Sequence, residues 1–165
     1  MNSSIQIVTH PINTELKEKE YSFFKHIPDK NIIDLEFVEV FESSNLLYKG
    51  FIKNGNRYGY GKEFYENEGY YEGFFKDGLR HGQGTLFYHD GTTYSGSFEF
   101  DKFSGHGTYI VNKNKYIGNF QNNKFNGPGT YTYANGDIIK GSFINDFLEG
   151  YGTFISDRKS TRLNS

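Results

Sequence analysis

Residues 71–93 read YEGFFKDGLRHGQGTLFYHDGTT, and the same pattern recurs on both sides of them. The repeats open YKGFI at Tyr48, YEGFF at Tyr71, YSGSF at Tyr94, YIGNF at Tyr116 and IKGSF at Ile139. Each then carries a G-x-G: Gly59 and Gly61, Gly82 and Gly84, Gly105 and Gly107, Gly127 and Gly129, Gly150 and Gly152. The first glycines of these pairs stand 23, 23, 22 and 23 residues apart, and Gly50, Gly73, Gly96, Gly118 and Gly141 keep the same series. Two markers in one register define a repeat architecture, in which each unit buries its apolar face by stacking on its neighbours.

Side chains alternate along a strand, so Tyr71, Gly73 and Phe75 share one face while Glu72, Phe74 and Lys76 point the other way. Lys76-Asp77-Gly78 begins a turn, because Asp-Gly accepts positive φ. A second strand is predicted from about Gly82 to Tyr88, with Gly82, Gly84, Leu86 and Tyr88 on the glycine face and Gln83, Thr85 and Phe87 opposite. His89-Asp90-Gly91 turns back toward Tyr94. Each unit is therefore a β-hairpin, and successive hairpins form an antiparallel meander. Tyr109, Tyr131 and Phe154 follow Leu86 on the glycine face, while Thr85, Thr108, Thr130 and Thr153 mark an exposed face. Glycine inside a strand marks close approach of another group to the backbone. The expected groups are Phe75, Phe98, Phe120 and Phe143, lying over bare glycine. Two strands per repeat over five repeats give a rod about 50 Å long.

The pattern Y-x-G-x-F, a variable stretch, G-x-G-T-[LYF] and a D-G or N-G turn resembles the MORN repeat (membrane occupation and recognition nexus). Residues 71–93 and 116–138 match it best. Ile52 at the aromatic position, Ile139 for the opening Tyr and Asn114 at the turn Gly depart from it, as does truncation of the fifth unit. The resulting expectation is an all-β, single, elongated and twisted antiparallel meander with units 48–70, 71–93, 94–115, 116–138 and 139–156.

Before the repeats, residues 1–47 are expected to form a cap. Residues 1–11 show no periodicity and read as loose; a short helix is expected over 14–27, with Leu16, Phe23, Phe24 and Ile27 on one side and Pro28 ending it. A strand is expected over about 31–41 in NIIDLEFVEVF. After the repeats, RKSTRLNS breaks the pattern and resembles translated sequencing-adapter read-through, so 157–165 reads as disordered or non-native. That leaves open whether the natural chain continues past about residue 157.

The 165 residues include 17 Phe, 14 Tyr and 20 Gly at only 35% hydrophobic content, which argues against a thick two-layer core. In residues 48–156 eleven basic residues balance eleven acidic ones, unlike a nucleic-acid footprint. The absence of Cys excludes disulfides and thiolate metal sites. No apolar run reaches the roughly 20 residues of a membrane span, and MNSSIQIVTH lacks the layout of a secretion signal, so an intracellular, cytoplasmic setting is expected. No G-x-G continues as G-x-G-x-x-G into a helical pattern, and no phosphate-loop motif occurs. The histidines, His10, His26, His81, His89 and His106, have no metal-ligand spacing, and no catalytic triad can be nominated. No catalytic residue, cofactor or metal is expected.

What remains is the aromatic face. Its expected stacking and interaction residues are Tyr71, Phe75, Leu86, Tyr88, Tyr94, Phe98, Tyr109, Tyr116, Phe120, Tyr131, Tyr133 and Phe143, over the fifteen glycines named above. The resemblance implies a non-enzymatic scaffold for protein–protein interaction, cytoskeletal, ciliary or membrane-associated. Its partner would be a helix or strand docked on the sheet, or a second copy. A second reading, implied by the family's name, is phospholipid-headgroup binding, although the dispersed lysines supply no polybasic cluster. A third is the regulatory region of a longer enzyme. Nucleic acid is not an expected partner.

Overall fold

The structure, a computed structural model, describes residues 4–10, 34–156 and 160–164. The helix expected over 14–27 lies outside the described residues, as do residues 31–33 of the expected strand.

The described chain is all strand and turn: β1 (Ile5–His10), β2 (Leu35–Glu42), β3 (Asn45–Lys53), β4 (Asn56–Tyr65), β5 (Gly69–Lys76), β6 (Leu79–Tyr88), β7 (Thr93–Glu99), β8 (Lys102–Val111), β9 (Asn114–Gln121), β10 (Lys124–Thr132), β11 (Ile138–Ile144), β12 (Phe147–Ile155) and β13 (Ser160–Asn164). They form one antiparallel sheet whose spatial order is the chain order. Two expectations are corrected here. Ile5–His10, read as loose, pairs with β2 along its whole length. Ser160–Asn164, within the tail read as disordered or non-native, is ordered as a strand that pairs with β12. Neither segment has the period of the repeats, and each is held by pairing along a neighbouring strand.

Six hairpins close through two-residue turns in which both central residues have positive φ: Asn54-Gly55, Asp77-Gly78, Phe100-Asp101, Asn112-Lys113, Asn122-Asn123 and Asn145-Asp146. This is the turn whose twist matches that of the flanking strands. It lets the second strand of each unit begin earlier than its G-x-G suggests, β6 at Leu79 rather than Gly82. It also places the third unit's closing turn at residues 112–113, with Asn114 already in β9.

The glycine ahead of each G-x-G centre then does something the sequence reading missed. Gly59, Gly82, Gly105, Gly127 and Gly150 all have positive φ, and each lies where its strand slips against the preceding one. Gly73 pairs with Gly84 while Phe75 pairs with Arg80, so β6 carries two more residues than β5 across the same interval. The same slip recurs in β4, β8, β10 and β12. A bulge of this kind bends the strand and takes a backbone group out of the ladder. Because two residues are inserted, the alternation of faces survives.

Successive turns are tied together. The amides of Gly78, Asp101, Asn123 and Asp146 donate to the carbonyls of Arg57, Arg80, Phe103 and Phe125, one repeat earlier, at 2.9, 3.0, 3.2 and 3.1 Å. The side chains of Asp101, Asn123 and Asp146 accept in return from the amides of Arg80, Phe103 and Phe125.

Candidate functional site

Cross-strand pairing lines up the repeats' two sequence markers as rows. Gly50, Gly61, Gly73, Gly84, Gly96, Gly107, Gly118, Gly129 and Gly141 sit opposite one another across nine strands. Beside them runs an aromatic row: Tyr71 faces Leu86, Leu86 faces Tyr94, and Tyr109, Tyr116, Tyr131, Ile139 and Phe154 follow.

The rings that cover the glycines are tyrosines. A Cβ added at Gly73 would stand 2.5 Å from the Tyr71 hydroxyl, and one at Gly107 2.7 Å from that of Tyr94. Tyr48 and Tyr116 lie in the same way over Gly50 and Gly118. Phe75, Phe98, Phe120 and Phe143, expected to lie over bare glycine, stand opposite the first glycine of each pair, Gly59, Gly82, Gly105 and Gly127, while the tyrosines cover the glycine row beside them. Those phenylalanines stand edge-on to the tyrosines, with Tyr71 to Phe98, Tyr94 to Phe120 and Tyr116 to Phe143 at 5.0, 5.0 and 5.3 Å between centroids. Edge-to-face packing sets the positive ring edge against the negative face.

Each tyrosine reaches across its glycine for a reason. The hydroxyls of Tyr48, Tyr71, Tyr94 and Tyr116 donate to the carbonyls of Phe51, Phe74, Ser97 and Asn119, at 2.8, 2.9, 2.8 and 3.1 Å. These acceptors lie at the bulges, where the ladder is interrupted, so a buried carbonyl finds its donor. Burial raises the phenols' pKa, for Tyr94 and Tyr116 up to about 12, which keeps them protonated as donors.

Residues that the sequence reading did not single out cover this layer. They stand just after each turn and recur at the glycine spacing, a signal that could have found them: Arg57, Arg80, Phe103, Phe125 and Leu148. Phe103 and Phe125 stack flat on Tyr94 and Tyr116, both at 3.7 Å. In the first two units guanidinium groups take that place. Arg57 lies 5.3 Å from the Tyr48 ring and pairs with Glu63 at 2.7 Å. Arg80 lies 5.8 Å from the Tyr71 ring and pairs with Asp101 at 2.8 Å. In the fifth unit Ile139 has no ring, and the Leu148 side chain lies over Gly141 and Gly152 instead.

Of the twelve expected face residues, Tyr71, Phe75, Leu86, Tyr94, Phe98, Tyr116, Phe120 and Phe143 are buried within this layer. They hold the sheet together and offer no surface to a partner. Tyr88, Tyr109 and Tyr131 are half-buried against them, and Tyr133 is exposed.

The opposite face is graded along the array. Near the N-terminus Leu35, Phe37 and Phe51 form a second small cluster with Tyr58, and Lys62 sits 3.8 Å from the Tyr70 ring, which stacks on Phe87 at 5.4 Å. The middle is polar, with Thr85 and Ser95 hydrogen-bonded at 3.1 Å. At the C-terminal end Ile144 pairs with Phe147; Phe147 is 74% and Tyr151 79% exposed. Among the described residues no His, Asp or Glu group is arranged to hold a metal ion, and the side chain of His81 packs on the Phe100 ring.

A single-layer sheet in which the first four hairpins repeat one tyrosine-over-glycine contact, and the fifth replaces the ring with Leu148, defines a β-repeat array. A family model for the MORN repeat matches residues 71–93, 94–112, 116–138 and 140–160, more than half of the chain, and the chain belongs to the MORN-repeat family. No curated protein matches the sequence.

Proposed function

We propose that this chain is a non-enzymatic scaffold for protein–protein interaction, a structural or accessory subunit of a larger cytoskeletal, ciliary or membrane-associated assembly. The observation that carries the reading is the apolar end of the outer face. Ile144, Phe147 and Tyr151 are exposed, and the tyrosine–glycine core is complete without them. Exposed apolar patches of this kind mark interaction sites, and a sheet tied turn to turn supplies a rigid platform on which to present one.

The test is native purification of the tagged protein from its own cells, with partners identified by mass spectrometry before and after a high-salt wash. Stoichiometric protein partners that survive the wash, and that a Phe147→Ser, Tyr151→Ser variant loses, are the expected outcome. Recovery with anionic membranes, released by salt, would overturn the reading in favour of headgroup binding.

A further inference from the structure

We infer that β1 is a homodimerisation edge, pairing antiparallel with β1 of a second copy about a two-fold axis at Ile7. The inference goes beyond the scaffold reading, because it concerns an edge of the sheet and not the outer-face patch, and each can fail without the other.

β1 stands at the end of the strand order. The Ser4 carbonyl accepts from the Ser43 amide, so Ser4 directs its backbone groups toward β2. By the alternation of an antiparallel ladder, Gln6 and Val8 do the same, and Ile5, Ile7 and Thr9 direct theirs to the open edge. Those three residues also share the glycine face, since Ile7 pairs with Val40 and Val40 with Tyr48. Ile5 is 58% and Ile7 61% exposed. Among the described residues no strand pairs with that edge, and the same segment carries exposed β-branched side chains.

Natural edge strands are usually blunted by Lys, Pro or a bulge. IQIVTH has none of these, and its pairing with β2 runs without a slip. The occupant that fits is this same strand. Self-pairing of a charge-free Ile5–Thr9 sets no like charges opposite one another. An axis at Ile7 places Ile7 against its own copy, Ile5 against Thr9 and Gln6 against Val8, using every residue from Ile5 to Thr9. An axis at Gln6 would leave Val8 and Thr9 opposite residues that precede the strand. The axis at Ile7 also continues the core-face row without a break, from Tyr48 and Val40 through Ile7 to the second copy's Ile7, Val40 and Tyr48. The interface is isologous, as a two-fold dimer requires.

Sedimentation of the full chain across a concentration series tests this. The wild-type chain should move from its monomer mass of 19.1 kDa toward twice that value. Ile7→Lys, which sets two ammonium groups against each other on the axis, should stay monomeric with an unchanged circular dichroism spectrum. The chain has no cysteine, so Ile7→Cys should form a disulfide-linked dimer under mild oxidation and Gln6→Cys should not. A wild-type chain that remains monomeric throughout, a dimer unaffected by Ile7→Lys, or cross-linking at Gln6→Cys in preference to Ile7→Cys would overturn the inference.

Discussion

Replacing Gly84 by Ala adds one methyl group where the structure has no room for it. The new Cβ would meet the Tyr71 hydroxyl and stand 2.5 Å from its Cε2 and 2.6 Å from its Cζ. The ring cannot yield cheaply, being fixed by its 2.9 Å bond to the Phe74 carbonyl and by edge contacts to Phe75 and Phe98 at 5.1 and 5.0 Å. Overpacking of this kind costs about 1–3 kcal/mol, and loss of the tyrosine hydrogen bond about 1 kcal/mol more. A total of about 3 kcal/mol is expected, read as a lower urea midpoint by circular dichroism. In a Tyr71→Leu background, which imitates the flexible aliphatic cover of the fifth unit, the same substitution should cost under about 1 kcal/mol, because the clash has lost its rigid partner. Gly91→Ala is the control for backbone conformation: nothing lies within 4 Å of its Cβ and φ is +86°, so about 1–2 kcal/mol is expected. Equal costs for Gly84→Ala in both backgrounds would refute the claim that the tyrosine ring is what the glycine accommodates.

Phe98→Ala removes a buried ring that touches both Tyr71 and Tyr94, and should destabilise by about 3 kcal/mol or more; an unchanged melting temperature would count against the layer. Gly107→Val should be strongly destabilising, its Cβ meeting the Tyr94 hydroxyl at 2.7 Å, whereas Thr108→Val on the outer face should change the melting temperature little, and equal effects would mean the faces are reversed. Stability should also fall at alkaline pH. Burial raises the Tyr94 and Tyr116 phenols to about 12, so the native state holds protons that an unfolded tyrosine releases near pH 10. The contribution is complete below pH 10 and is lost as the pH rises toward 12. Melting curves of Tyr94→Phe should therefore start lower at pH 7 and show a shallower decline above pH 10 than the wild type; parallel declines would place the alkaline sensitivity elsewhere.

The repeat register and the two faces were legible from Tyr71, Gly73, Phe75, Gly82 and Gly84, because β alternation and a fixed period leave little choice once glycine recurs in place. The family was legible on the same residues. The covering positions, Arg57, Arg80, Phe103, Phe125 and Leu148, carried the same period and escaped notice because their chemistry changes from cation to ring to aliphatic. The N-terminal strand offered no such signal: Ile5 to His10 is one short segment with no repeat to align against.

What the sequence determined by itself is the meander, since local turn chemistry and period-two alternation act between neighbouring residues. What only the tertiary structure decided is which ring covers which glycine, that the first glycine of each pair is a bulge, and that most of the expected contact face is sealed as core. Those outcomes depend on pairing between strands, where a two-residue slip frees a carbonyl and turns each tyrosine back over its own glycine to satisfy it.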